Sequence, residues 1–232
     1  MSVGHELDSL NITNLLDNLS EVLSQPKNED FKQKLTRLVK AADTKVEEIL
    51  IGSLNQREAK GLENSPMPEE LKVGIRQRKR LLARHQVFEN GQVVGFEDFK
   101  FLSDTSEGTN MMLVIGALIL FKLENGGLVV FDELDNSLHP KISRFFIQLF
   151  HSLNVNKGNA QIVFSTHEPL LMDKDMFRSD QIWFTQKTQF GETELYSAQD
   201  FDGVREDIPF DKWYMAGKFG ALPNIEESLF AF

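Results

Sequence analysis

Two adjacent carboxylates, Asp132 and Glu133, follow the apolar run Leu128–Phe131 in the stretch LVVFDELDNSLHP. That run holds β-branched Val129 and Val130, and it predicts a short strand buried on both faces, as in a parallel sheet. Charges buried without partners are costly, so a strand that ends on two acids is aiming them at a metal or a reaction. In phosphoryl transfer one such carboxylate holds Mg2+, often through water, and a neighbour orients the attacking water. The same pair also suits a strand that leaves the core through a solvated acidic loop.

Two further groups have the right chemistry. The apolar segment Gln161–Phe164 ends on Ser165-Thr166-His167-Glu168. A histidine there lies on the carboxyl edge of a sheet, where α/β proteins bind ligands. Ser106-Glu107-Gly108-Thr109 directly precedes the apolar residues 110–124. At a helix start, free N–H groups point outward, the dipole favours negative charge, and glycine lets a phosphate approach. An ordinary Ser/Thr N-cap before a buried helix accounts for the same residues. Arg76, Arg78, Lys79, Arg80 and Arg84 form a basic cluster, which suits either phosphate contacts on a nucleic acid or a solvated face.

The elements that must position these groups follow from spacing. Residues 11–23 place Ile12, Leu15, Leu16, Leu19 and Leu23 on one helical face, with Asn11 or Thr13 as cap and Pro26 as stop. Residues 29–52 predict a second helix, with Phe31, Leu35, Leu38, Val39, Ala42, Val46, Ile49 and Leu50 facing its partner. The polar residues 55–70, with Gly61, Pro66 and Pro68, predict a linker or long loop. Asn90-Gly91 within the alternating residues 85–101 predicts a hairpin. Residues 110–124 predict an apolar helix closed by Asn125-Gly126-Gly127, residues 141–153 an amphipathic helix, and residues 181–185 another strand. Helix, strand and polar strand end recur, which makes a parallel α/β sheet the economical fold. Residues 213–220 show no chemistry of their own.

Composition narrows the class. With 232 residues, 41% of them hydrophobic, the chain buries one good core, or one core with a smaller appendage. A net charge of -10 argues against a generally nucleic-acid-binding surface and leaves room for a local basic patch. The absence of cysteine excludes disulfides, thiolate zinc sites and a cysteine nucleophile. The first residues are polar and acidic, unlike a signal peptide. The longest apolar run, residues 111–121, falls short of the roughly 20 residues that span a bilayer. A soluble cytoplasmic protein with no membrane segment is expected.

Together these motifs resemble the C-terminal half of an ABC-type ATPase domain. The likeness is to the RecF/SMC-like, AAA-type branch found in bacterial restriction-associated and abortive-infection ATPases. SEGT is similar to that family's signature motif, LVVFDE to its Walker B strand, LDNSLHP to its D-loop and IVFSTHEP to its switch-histidine strand. DQIWF at residues 180–184 and GKFGALP at residues 217–223 continue the match. The resemblance implies a P-loop NTPase-like α/β fold, a parallel sheet flanked by helices, with ATP and Mg2+ as cofactors. It implies that Asp132 holds Mg2+ through water, that Glu133 polarises the attacking water, and that His167 contacts the γ-phosphate. Asp135 would belong to a loop that crosses a dimer interface. Ser106, Gly108 and Thr109 would bind the γ-phosphate of a nucleotide held by the opposite subunit.

The chain also departs from the family. It has no G-x-x-x-x-G-K-S/T phosphate loop, and Gly217-Lys218 is followed by Phe219 where a hydroxyl belongs. In the family's sheet the missing strand lies between the histidine strand and residues 181–185, so its loss leaves open backbone edges. Either the chain is a fragment of a longer ATPase, or a phosphate-loop-bearing partner completes it, or the fold is rewired. Residues 1–70 are then a helical region and linker, and residues 71–232 the C-terminal half of the ATPase domain. The expected function is ATP-dependent dimerisation, as a homodimer or with such a partner, and hydrolysis in a DNA-transaction or phage-defence system, the isolated chain being inactive. The alternative is a non-catalytic dimerisation or interaction module derived from such an ATPase. A nucleic-acid-binding regulator acting through the basic cluster is a third reading.

Overall fold

The computed structural model describes residues 9–42, 44–54, 56–136, 138–205, 207–223 and 225. It begins with helices α1 (Ser9–Leu23) and α2 (Glu29–Ala41), joined by a 3-10 turn at Pro26–Asn28. The second helix is shorter than its spacing predicts. It stops at Ala41, where Thr44 Oγ1 donates to Val39 O at 2.9 Å, and Lys45 turns the chain at φ 61°. Residues Val46–Gly52 then form strand β1 instead of further helix. A bulge between Val46 and Glu48 places Val46 and Ile49 on the same buried face. An extra residue in a strand therefore imitates the three-residue step of a helix.

The predicted linker is a second correction. Most of it is helical, as α3 (Gln56–Glu63) and α4 (Glu69–Gln77), with the helix-breaking prolines Pro66 and Pro68 between them. These helices lie on the surface and bury only Leu62, so their sequence reads as polar. Strands β2 (Arg80–Glu89) and β3 (Gln92–Lys100) form the expected hairpin, and β2 pairs antiparallel with both β1 and β3. Asn90 (φ 51°) and Gly91 (φ 80°) supply the two positive φ angles that a tight two-residue turn requires.

Helix α5 (Glu107–Asn125) is the centre of the main core and packs against α1, α2 and the strand that follows it. Strand β4 (Leu128–Phe131), helix α6 (Pro140–His151) and strand β5 (Gln161–Phe164) complete a parallel crossover, in which Leu128 pairs with Gln161 and Phe131 with Phe164. The start of this register is set by two glycines. A Cβ on Gly158 would lie 2.3 Å from Gly126 N, and Gly158 N–H donates to Leu123 O at 2.7 Å. Gly158→Ala should lower unfolding stability by about 1–3 kcal/mol, since backbone must move to admit the methyl. Gly61→Ala, in open space on α3, is the control that should leave the thermal midpoint unchanged or raised.

The β4 strand is not buried on both faces. Val129 and Phe131 enter the core, whereas Leu128 is 49% exposed, and Val163, on the same face of β5 opposite Val130, is 55% exposed. The apolar run is that of a two-sided parallel strand, yet among the described residues β5 pairs only with β4. The segment expected at residues 181–185 instead forms β6 (Trp183–Lys187), which pairs antiparallel with β7 (Thr193–Ser197) in a separate sheet. Helix α7 (Phe210–Met215) and the following loop close a second, smaller core around Phe219. Phe184 stacks on Phe219 at 4.9 Å between ring centres, and Lys218 lies 4.0 Å over the Trp213 ring. Residues 213–220 thus have a packing role. The main core does not divide at residue 70, since α1, α2 and β1 share it with α5 and β4. Among the described residues no helix is long and apolar enough to cross a membrane.

Candidate functional site

Strands β4 and β5 run in parallel, so the residues that follow them emerge at one end of the pair. Asp132 and Glu133 leave β4 there, and Ser165, Thr166 and His167 leave β5. Glu133 has a left-handed backbone, φ 53°, uncommon for a residue with a Cβ. Its carboxylate Oε1 lies 3.5 Å from His167 Nε2. The His167 side chain is 83% exposed and that of Glu133 51%, so both are open to a ligand or water. Asp132 accepts a hydrogen bond at Oδ1 from the Ser165 hydroxyl, at 2.5 Å. Three of the groups expected to do chemistry are therefore brought together.

Beyond Glu133 the chain forms a tight turn. Asn136 N–H donates to Glu133 O at 2.9 Å, and Leu138 N–H to Asp135 O at 3.2 Å. Leu134 is buried and anchors the turn. Asp135 Oδ1 is itself buried and has no hydrogen-bond partner among the described residues. A buried carboxylate oxygen without a donor is costly. His139 then caps α6, its Nδ1 accepting from Lys141 N–H at 3.2 Å.

Ser106 caps α5. Its Oγ accepts from Thr109 N–H at 3.2 Å and lies 2.8 Å from Thr109 Oγ1. Gly108 is in the first turn, as is Glu107, whose carboxylate also suits a helix N-terminus. Among the described residues no hydrogen bond or ion pair joins Ser106, Gly108 or Thr109 to Asp132, Glu133 or His167. A cleft of about 430 Å³, lined by Lys141, Arg144, Leu170, Asp173 and Lys174, also excludes those three residues. The acids and the histidine stand on an open surface.

Most of the basic cluster is neutralised within the chain. Arg76 pairs with Glu69 at 3.1 Å, Arg80 with Glu58 at 2.9 Å, and Arg78 with Asp17 at 3.0 Å. Arg84 grips Asp98 with two bonds, at 2.8 and 3.0 Å. Lys79 contributes its carbonyl, which accepts from the Ser20 hydroxyl at 3.0 Å.

Ser165 is the residue that sequence reasoning passed over. Its signal was a hydroxyl at the first position after β5, level with Asp132 after β4, because equal strand lengths in register bring equal positions together.

Asp132 suits Mg2+ as a hard oxygen donor. Among the described residues no group of three or more His, Asp or Glu side chains is placed to hold a metal. A lone carboxylate fits an ion whose other ligands are waters and nucleotide phosphates.

Comparison with known proteins follows the same lines. Residues 4–173 match the family described as "AAA domain, putative AbiEii toxin, Type IV TA system". An "OLD nuclease" from Thermus scotoductus is 26% identical over 126 residues, which cover 53% of this chain and 23% of that protein. The chain thus spans about a quarter of the length of this curated relative.

Proposed function

The chain belongs to this AAA-domain family, and from that premise we propose that it supplies the hydrolytic half of an ABC-type, RecF/SMC-like ATPase site. One observation carries the reading: two acids and a histidine converge at the carboxyl end of a parallel strand pair. In this reading Asp132 holds Mg2+ through water, Glu133 polarises the attacking water, and His167 contacts the γ-phosphate. The ion, when bound, neutralises charge on the transferring phosphoryl group. Positioning and charge stabilisation supply most of the catalysis in such reactions, and exposed acids on rigid strand ends suit that need.

The sequence contains no phosphate loop, so the nucleotide is brought by a phosphate-loop-bearing segment or partner. The bare apolar face of Leu128 and Val163 supports such completion. Ser106, Gly108 and Thr109 then meet the γ-phosphate across a dimer interface, with Asp135 in the crossing loop. A toxin in the family description and a nuclease as relative support service in a DNA-transaction or phage-defence system.

The missing loop also favours a second reading, a non-catalytic dimerisation module. One titration separates the two. Calorimetry of the isolated chain with Mg2+–ATP should show no micromolar site. Adding a polypeptide of the same family that carries the strand, phosphate loop and helix should produce ATP-dependent association and hydrolysis. Association without hydrolysis selects the module. A micromolar site in the isolated chain rejects completion by a partner.

A further inference from the structure

Ser165 stands one residue beyond β5 and bonds to four consecutive residues at the end of β4. Its N–H donates to Phe131 O at 3.0 Å, and its carbonyl accepts from Leu134 N–H at 3.1 Å. Any residue could make those two backbone bonds. The other two need the side chain: Ser165 Oγ accepts from Glu133 N–H at 2.8 Å and donates to Asp132 Oδ1 at 2.5 Å. Only a group that donates and accepts at once can do both, which a hydroxyl does and a methyl does not.

Each bond constrains one of the acids. The Glu133 backbone at φ 53° persists only where its surroundings hold it, and its N–H is tied to Ser165. The donated proton engages Asp132 Oδ1, which fixes the carboxylate plane and leaves Oδ2 without a protein partner among the described residues. We infer that Ser165 is a positioning residue for hydrolysis, its hydroxyl holding both the Asp132 carboxylate and the turn that aims Glu133. That role rests on the ATPase reading above. It also links both acids to the segment that carries His167, two residues further on.

Two measurements test it. In the full chain, amide exchange by NMR should quicken at Glu133 in Ser165→Ala by about 5- to 10-fold, the loss of one hydrogen bond. Leu134, bonded to the Ser165 carbonyl, should keep its protection, and Ser165→Thr should restore Glu133. In the phosphate-loop-completed assembly, Ser165→Ala should raise the Mg2+ concentration for half-maximal hydrolysis by about 10- to 100-fold. Its kcat should fall while KM for ATP holds, with Ser165→Thr near wild type. A residue that only stabilised the fold would lower the thermal midpoint without moving the Mg2+ requirement. Unchanged exchange at Glu133 overturns the inference. So does an unmoved Mg2+ requirement in an assembly whose hydrolysis Glu133→Gln abolishes. If Glu133→Gln leaves hydrolysis intact, the ATPase reading itself falls and takes the positioning role with it.

Discussion

Glu133→Gln in the phosphate-loop-completed assembly should slow ATP hydrolysis by about 100- to 10,000-fold, the usual contribution of a general base. ATP binding should be unchanged, so ATP-stabilised assemblies should accumulate. The substitution is clean for structural reasons. Gln keeps the size and shape of Glu, and the backbone bond from residue 133 N–H to Ser165 Oγ does not involve the side chain. The left-handed φ of 53° constrains both residues equally. What is lost is the charge that polarises water in the proposed mechanism, carried by a carboxylate that lies 3.5 Å from His167. Single-turnover hydrolysis and nucleotide binding, measured on the same preparation, separate chemistry from affinity. Wild-type turnover would make Glu133 a solvated acid at the end of an ordinary strand.

The parts of this site that were legible in the sequence are those that periodicity and local chemistry determine. The strand before Asp132, the strand before His167 and the Asn90-Gly91 hairpin are specified within a few residues of themselves. What was not legible depended on partners distant in the chain. The bulge that places Val46 and Ile49 on one face exists because β1 pairs with β2, more than thirty residues later. Polar α3 is held to the body by Arg80–Glu58 and Lys100–Glu58, and Arg76 of α4 pairs in turn with Glu63 of α3, which no local pattern reveals. The same holds for Ser165, whose importance arises only when β5 is laid in register beside β4. The bare face of Leu128 and Val163 is the reverse case, in which the sequence is apolar enough for burial on both sides and the described structure covers one.

Ser106→Arg should abolish ATP-dependent association with a phosphate-loop-bearing partner while leaving the chain folded. A helix N-terminus can bind a phosphate only if one is brought to it, and this chain has no loop to hold one nearby. In the proposed assembly the partner presents the nucleotide to the start of α5, where a long cationic side chain in place of a small hydroxyl fills the approach. The cost to the monomer is limited to the cap, in which Ser106 Oγ accepts from Thr109 N–H at 3.2 Å. Losing it costs about 0.5–2 kcal/mol. Buried residues from Asn110 to Leu123 keep the helix in place. Ser106→Ala is the comparison that matters, because it removes the same cap without adding bulk or charge. If the residue is only a cap, both variants should lower the thermal midpoint by a similar few degrees and associate as wild type. If it faces a partner's phosphate, Ser106→Arg alone should prevent association entirely, with Ser106→Ala weakening it. Sedimentation with and without Mg2+–ATP, beside a melting curve for each variant, decides between them. Normal association of Ser106→Arg would leave Ser106 as the cap of a buried helix and remove it from the site.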